Sequence, residues 1–387
     1  MIKTLTAYTY ELDDPEKAVR DILTQIDMKN SLLQNSVALL FCHVQFIEMG
    51  VTEAICKSLP FDVVGCTSMY LALPSRAGEM MLTVTVLTSD DTEFAAGICE
   101  PLTAENAEDR ISALYQKTAS SLSGTPDLAF AFPPTMLNVT IDVMTAALDR
   151  AGGELPVFGT VALDMHVHIR DPQTIYKDAA YSDRMALLLF RGPVKPRFFS
   201  LRFPESSSLA QDAVITSANG PYLISINNKP AASFLKEAGL IQDNKNTYTH
   251  AIPLVVEDSD GTNPEVVVVQ DIDSRGTLVC GRHVPVGGIL NIGAITEEHV
   301  LESAKTLIQE IKENEGGEGL FIFSCFLRSV VLGGGAAAEV ELIQRELSGY
   351  SGSFLYLNSG GELCPRYLKS GGTVNQALQY AIIACQI

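Results

Sequence analysis

Two apolar stretches near the carboxyl end of the chain stop on residues able to do chemistry. Gly319-Leu320-Phe321-Ile322-Phe323 ends at Ser324-Cys325 with Arg328 close behind, and Phe354-Leu355-Tyr356-Leu357 ends at Asn358-Ser359-Gly360-Gly361 with Glu362 next. A guanidinium and a carboxylate so placed either pair with each other or clamp the carboxylate and amine of a small zwitterion, because the planar Arg fork matches a carboxylate. Cys325 beside a cation at a helix start has a setting that favours thiolate. A nucleophile also wants a base, and no His stands near it in sequence. Earlier strand ends carry Cys42-His43, Cys66-Thr67-Ser68 and Thr160. Such residues cap helices as readily as they bind ligands, but ligands of α/β sheets do collect at these carboxyl ends.

Other candidates carry less. His166 and His168 would share one face of a strand, but two ligands without a third make a poor metal site, so a solvated loop pair is the expectation. Cys364-Pro365 has the form of a haem-ligating Cys-Pro pair and is too short to be specific. Gly333-Gly334-Gly335 is expected between a strand and a helix, as an entry turn and not a phosphate cradle, because the Lys of a P-loop is missing. No segment matches a P-loop, a GxSxG elbow, an HExxH helix or a dinucleotide fingerprint.

The elements that must position these residues repeat three times. Ser36–Phe41, a helix with Val51, Ile55 and Leu59 on one face, and Asp62–Val64 form the first strand-helix-strand unit. Asp127–Phe132, a helix with Val139, Val143 and Ala147, and Pro156–Phe158 form the second. Gly319–Phe323, a helix with Val340, Ile343 and Leu347, and Phe354–Leu357 form the third. Each is expected to run on into a further strand or hairpin: Met81–Leu87 with Glu93–Ile98, Met185–Phe190 with Arg197–Phe203, and Ala377–Cys385. Continuous apolar strands with helical connectors predict mixed sheets covered by helices, an α/β (mixed α+β) class. Between the second and third units, Pro221–Ile226, a helix from about Pro230, Val266–Val269, Leu278–Cys280 and Ile289–Ile292 predict an antiparallel meander. A long helix is expected over 296–314, with Thr296 as N-cap and Val300, Ala304, Leu307 and Ile311 on one face. Two domains follow, 1–205 with two repeats and 206–387 with the meander and the third.

Length and charge set outer bounds. The 387 residues carry a formal net charge of −19, which speaks against gripping a phosphate backbone or an anionic membrane. Apolar residues make up 47% and charged residues 19%, so large cores can form. Apolar runs are strand-sized and the amino terminus has no apolar leader, so a cytoplasmic protein without membrane insertion is expected. Eight scattered Cys without a CxxC pair read as small buried hydrophobes.

In order and spacing the chain resembles the FIST family, the F-box and intracellular signal transduction proteins, over nearly its whole length. Val63-Val64-Gly65-Cys66-Thr67-Ser68, Leu155–Thr160 with Asp164, and Thr174–Tyr176 followed by Ala186–Leu189 are similar to its amino-terminal part. Gly220-Pro221-Tyr222 to Lys229-Pro230-Ala231, Phe323-Ser324-Cys325 with Arg328, Gly361-Glu362 and Asn375 are similar to its carboxy-terminal part. Where the family pattern reads Ser-Cys-Ala-Gly-Arg, this chain reads Ser324-Cys325-Phe326-Leu327-Arg328.

The resemblance implies a sensor that binds a small molecule, an amino acid or related small acid, between two FIST parts and reports to a separate signalling protein. Cys66, Thr67, Ser324, Cys325, Arg328, Gly361, Glu362 and Asn375 are then the expected ligand-binding residues. No catalytic residue, metal or cofactor is expected, and ligand binding is favoured over catalysis without closing the enzyme class. Three alternatives stay open. One is a haem-based gas sensor with His43, His166, His168, His250 or His283 as axial ligand, the second is an enzyme using Cys325 or Cys66 as nucleophile, and the third is a scaffold whose acidic surface serves only solubility.

Overall fold

The computed structural model describes residues 2–164, 171–202, 208–241, 253–257, 259, 264–314, 316–368 and 372–387. Unit I comprises β1 (Lys3–Thr9), α1 (Pro15–Gln25), α2 (Met28–Ser31), β2 (Asn35–Cys42), α3 (Gln45–Glu48) and α4 (Val51–Ser58). It continues with β3 (Val63–Thr67), β4 (Leu71–Leu73), β5 (Arg76–Gly78) and β6 (Leu82–Ser89). Unit II comprises β7 (Glu93–Ile98), α5 (Ala107–Ala119), β8 (Leu128–Phe132), α6 (Ile141–Gly152), β9 (Val157–Thr160), β10 (Thr174–Tyr176), β11 (Ala179–Tyr181) and β12 (Ala186–Arg191).

Unit III opens with β13 (Arg197–Leu201) and is at once interrupted. The interruption holds β14 (Ser208–Asn219), β15 (Tyr222–Ile226), β16 (Lys229–Pro230), α7 (Ala231–Glu237), β17 (Pro253–Glu257), β18 (Glu265–Ile272), β19 (Leu278–Cys280) and β20 (Ile289–Gly293). The unit then resumes with α8 (Glu297–Glu313), β21 (Gly319–Cys325), α9 (Phe326–Val331), α10 (Ala337–Glu346), β22 (Ser353–Ser359), β23 (Glu362–Tyr367), β24 (Thr373–Leu378) and β25 (Ile382–Gln386).

The three units build three sheets of one topology: β1-β6-β2-β3-β10-β11, β7-β12-β8-β9-β23-β24 and β13-β25-β21-β22-β4-β5. In each, the unit's own four strands accept a hairpin from another unit. Unit I gives β4-β5 to the third sheet, unit II gives β10-β11 to the first, and unit III gives β23-β24 to the second. The exchange closes a ring, so no sheet is complete without its neighbour. Strand pairing therefore crosses the expected division at 205/206: β13 pairs with β25, and the hairpins tie both halves together.

The repeat was legible, but its edges were not where expected. β6 and β7 form no hairpin; β6 lies between β1 and β2, while β7 pairs with β12 and starts unit II. Likewise β13 leaves β12 and opens unit III. The tight links Asp90-Asp91-Thr92 and Gly192–Pro196 look like hairpin turns in sequence, and only tertiary pairing shows that they join units.

Alternation along the central strands explains the layers. Leu39 and Phe41 of β2, Phe130 and Phe132 of β8, and Phe321 and Phe323 of β21 turn inward to one shared core. There Phe41 meets Phe132 at 5.7 Å and Phe323 at 6.2 Å between ring centroids, and Phe158 stacks on Phe323 at 4.7 Å. The alternate residues face outward to helices: Ala38, Leu40 and Cys42 to α1 and α4, Ala129 and Ala131 to α5 and α6, and Leu320 and Ile322 to α8 and α10. Two glycines let parallel strands approach. A Cβ at Gly65 would stand 1.8 Å from the Leu40 carbonyl oxygen, and one at Gly159 would stand 2.1 Å from that of Ala131.

The expected meander is a closed barrel. Its order β14-β20-β17-β18-β19-β15 is sealed by a β14–β15 pairing, with β16 on the edge and Ala231, Ala232 and Leu235 of α7 packed into its core. The long helix α8 forms as expected, with Thr296 and His299 exchanging capping hydrogen bonds. Gly333-Gly334-Gly335 follows the helix α9 and not a strand; the Gly333 and Gly334 N–H groups donate back to Val330 and Ser329 carbonyls, which makes it a helix stop.

Candidate functional site

Central strands of the three sheets deliver equivalent corners at their carboxyl ends. The first hairpin residue at each corner is Thr174 opposite Cys66, Glu362 opposite Thr160, and Leu71 opposite Leu357. One of the three equivalent positions is ionisable, and it is fully buried.

Around that corner lies a cavity of about 200 Å³. β21 and α9 supply Cys325, Phe326 and Leu327; the end of β22 supplies Ser359 and Gly360; the segment after β9 supplies Leu163 and Asp164; the barrel strand β18 supplies Val268 and Gln270. Thr135, Leu137 and Pro172 complete it. A larger groove of about 580 Å³ runs over the barrel past Tyr222, Ile224, Asp273 and Arg275, away from the strand ends. The smaller cavity is the candidate site, because there segments far apart in sequence converge with mixed apolar and polar lining.

Backbone bonds hold the walls. Leu163 N donates to Thr67 O at 2.9 Å, Thr135 Oγ1 donates to Ala162 O at 2.5 Å, and Cys325 N donates to Ala381 O at 2.9 Å. From the barrel, Val268 N donates to Gln379 Oε1 at 2.8 Å, and Val268 packs with Cys325, Leu327 and Tyr380. The Ser359 hydroxyl donates to Gly361 O at 2.6 Å and accepts from Thr160 Oγ1 at 2.8 Å and from Gly361 N at 3.1 Å.

Arg328 does not pair with Glu362, nor does it reach into the cavity as a free clamp. Its Nη2 and Nε donate to Glu339 Oε1 of α10 at 2.5 and 3.0 Å, and Nη2 also donates to Val300 O of α8 at 2.8 Å. Glu339 Oε2 accepts from Ser324 Oγ at 2.6 Å and from Tyr356 OH at 3.0 Å. Asn358 Nδ2 donates on to Tyr356 OH at 3.2 Å. Sequence reading missed Glu339. The signal was there, since Val340 and Ile343 mark the buried face of α10 and Glu339 stands one turn before Ile343, on that face.

Glu362 is 0% exposed, and neither carboxylate oxygen has a hydrogen bond of acceptable geometry. Burial pushes its carboxyl well above the usual range. Ser359, Arg328, Cys325 and the Ala381 backbone lie close enough to pull the other way, without prevailing. The thiolate expected at Cys325 does not arise. Burial pushes that thiol well up, the Glu362 charge adds to the push, and Arg328, already neutralised by Glu339, offsets little.

The remaining expected residues serve other ends. Cys66 is buried in the shared core, its thiol pushed up by burial. The Thr67 hydroxyl accepts from Gln173 N at 2.9 Å. Asn375 accepts from Val157 N at 2.8 Å and donates to Asp149 Oδ1 at 2.6 Å and Leu155 O at 2.9 Å, bracing β9 against the end of α6. Ser324 is held by Glu339. Of the eight, Cys325 lines the cavity; Glu362 does not line it but lies beside Cys325 and Ser359, which do, and Gly361 is hydrogen-bonded to Ser359. Among the haem candidates, His43 is buried at the end of β2, His283 sits on the barrel with its backbone N–H donating to Asp142 Oδ2 at 3.3 Å, and His166, His168 and His250 lie outside the described residues. Cys364 is buried in the core with its thiol pushed up. Among the described residues no group of three or more His, Cys, Asp or Glu is arranged to hold a metal ion, and no helix is long and apolar enough to cross a membrane.

Fold and cavity define a mixed α/β protein of three interlocked units carrying an inserted barrel, with a small-molecule-sized cavity at the strand ends. Residues 36–229 match the FIST N domain and residues 231–365 the FIST C domain, so the chain belongs to the FIST family. No curated protein matches it. Among solved structures it is similar to a chorismatase (9% identity, covering 100% of this chain and 98% of that one, TM-score 0.34). It is also similar to a cyanuric acid hydrolase (8% identity, 100% and 98% covered, TM-score 0.35). FIST domains are associated with sensory signal transduction and small-ligand binding.

Proposed function

We propose that this protein is a cytoplasmic sensor that binds an amino acid or a related small molecule in the cavity bounded by Cys325, Ser359 and Asp164, and that passes the signal to a separate protein. The observation that carries the reading is the cavity itself: about 200 Å³, apolar walls of Leu163, Val268, Phe326 and Leu327, and a few polar groups set among them. Its walls come from both the three-unit body and the barrel. A ligand touching both favours the arrangement in which they close on it, which is how a site without chemistry signals. At the two positions where the FIST pattern has Ala-Gly, Phe326 and Leu327 narrow the cavity, which suits a compact ligand. Among the described residues neither the haem nor the enzyme alternative draws support from this cavity, since His43 and His283 do not line it and burial disfavours a Cys325 thiolate; His166, His168 and His250 lie outside the described residues.

A thermal-shift screen of amino acids and small organic acids and amines tests the reading. A ligand at about 100 times its dissociation constant adds about 2.7 kcal/mol, a shift of several degrees. Leu327→Trp, which adds bulk to a residue of the cavity wall, is expected to abolish that shift. A panel in which nothing stabilises the protein, or in which Leu327→Trp responds as the unmodified chain does, refutes it.

A further inference from the structure

We infer that the ligand group this cavity receives is a primary ammonium, taken by the carboxylate of Glu362 behind Cys325 and Ser359 with Asp164 in the lining, and not a carboxylate taken by Arg328. The inference rests on the cavity being the ligand site and names the chemistry that it accepts.

Four observations lead there. Glu362 is fully buried with both oxygens lacking a hydrogen bond of good geometry, and it lies against Ser359 and Cys325, which line the cavity. The Ser359 hydroxyl proton is spent on Gly361 O, so the nearest hydroxyl donor is engaged elsewhere. The fold does not require an acid here, because the equivalent positions hold Leu71 and Thr174, and the Thr174 hydroxyl donates to the Arg184 carbonyl at 2.7 Å. Among the described residues that line the cavity the one charged side chain is the anionic Asp164, and Arg328 is consumed by Glu339 and Val300.

A buried acid that the fold could do without, and that no donor satisfies, is a cost unless a ligand completes it. The groups that face Glu362 are Cys325 from β21, Arg328 from α9, Ser359 from β22 and the Ala381 backbone before β25, with the Tyr380 phenol beyond Cys325. Burial outweighs them and favours the protonated carboxyl in the empty cavity. An alkylammonium, already protonated in water, then displaces that proton to solvent: the O–H bond of Glu362 breaks, an N–H···O contact forms, and one proton leaves. Affinity therefore rises with pH, up to about tenfold per unit, until the empty-site carboxyl is itself ionised. A carboxylate ligand would instead keep the proton between itself and Glu362.

Calorimetric titration of the full chain with isobutylamine and with isovalerate, in buffers of different ionisation enthalpy at pH 7 and pH 8, separates the cases. Isobutylamine is expected to bind with release of about one proton and more tightly at pH 8. Glu362→Gln is expected to weaken it at least about tenfold and to abolish proton release. The proton count on the unmodified chain decides the matter even where that variant folds poorly. Isovalerate binding that Leu327→Trp blocks, without amine binding, overturns the ammonium and leaves the cavity reading standing. Binding of neither probe overturns both.

Discussion

Removing the Glu339 carboxylate tests what Arg328 is for. The two side chains are 4% and 1% exposed, and each makes every hydrogen bond it has inside the protein. In Glu339→Leu the guanidinium keeps the Val300 carbonyl and loses its counter-charge, while the Ser324 and Tyr356 hydroxyls lose their acceptor. Breaking a buried pair from one side costs about 3–5 kcal/mol, and the two orphaned hydroxyls push toward the upper end. Arg328→Met leaves the carboxylate buried with two hydroxyl donors and costs about the same. The double variant removes both charges, and apolar replacement of a whole buried pair is often close to neutral. It is therefore expected to lose no more than about 3 kcal/mol, a coupling of at least about 3 kcal/mol. The chain has no Trp, so urea unfolding at pH 7 is followed by far-UV circular dichroism. Single-variant losses that add within about 0.5 kcal/mol in the double would refute the pair. A folded double variant that no longer binds a ligand of the unmodified chain would put Arg328 back in the binding site.

Other perturbations have equally definite outcomes. Gly65→Ala and Gly159→Ala drive a Cβ into backbone oxygens that cannot retreat without opening a parallel strand pair, and each is expected to cost more than about 3 kcal/mol or to prevent soluble expression; near-normal melting would contradict the fold. Asn375→Ala removes three hydrogen bonds between β9, the end of α6 and β24, for a loss of about 2 kcal/mol with ligand affinity unchanged, so an affinity loss would contradict its bracing role. Burial raises the thiols of Cys42, Cys56 and Cys280 to about 12. Their folded values exceed the unfolded ones, so this stability is fully present below the ordinary thiol value of about 8.5 and is lost as pH rises from there to about 12. A melting temperature flat over that window would refute it, as would rapid alkylation of Cys325 at pH 7 in the native protein. Glu362 has the same sign of shift, so Glu362→Gln is expected to raise the melting temperature of the empty protein at pH 8.

How much of this was legible follows from what each signal measures. The repeat was readable because Leu39-Leu40-Phe41, Phe130-Ala131-Phe132 and Ile322-Phe323 are buried on both faces, and burial on both faces erases alternation in any strand of that kind. The α8 helix was readable from its cap and its 3.6-residue period, both local. The barrel was read as strands but not as closed, because closure is the pairing of β14 with β15 as well as β20, and the register shifts in β14 that allow it carry no composition signal. For the candidate site, the sequence marked Cys325, Arg328 and Glu362 as neighbours at strand ends and left Arg328 either to pair with Glu362 or to clamp a ligand, whereas its partner is Glu339. Proximity along the chain was a poor guide: Glu339 lies 11 residues away with a direct bond, whereas Glu362 belongs to a hairpin that unit III extends to the second sheet.

The sequence by itself determined the class of protein, the three strand-helix-strand units, the family and the residue types gathered at the strand ends. All of these depend on local periodicity and on short motifs, which act within one or two turns of chain. Tertiary structure alone decided the cyclic exchange of hairpins, the barrel set inside the third unit and the neutralisation of Arg328. It also decided the burial of Glu362 behind Cys325 and Ser359. Those outcomes depend on which surfaces meet across hundreds of residues, and on how much water is excluded where they meet. Charge pairing and protonation follow from that exclusion, so the chemistry of the cavity is a property of the assembled sheets and not of any segment that contributes to it.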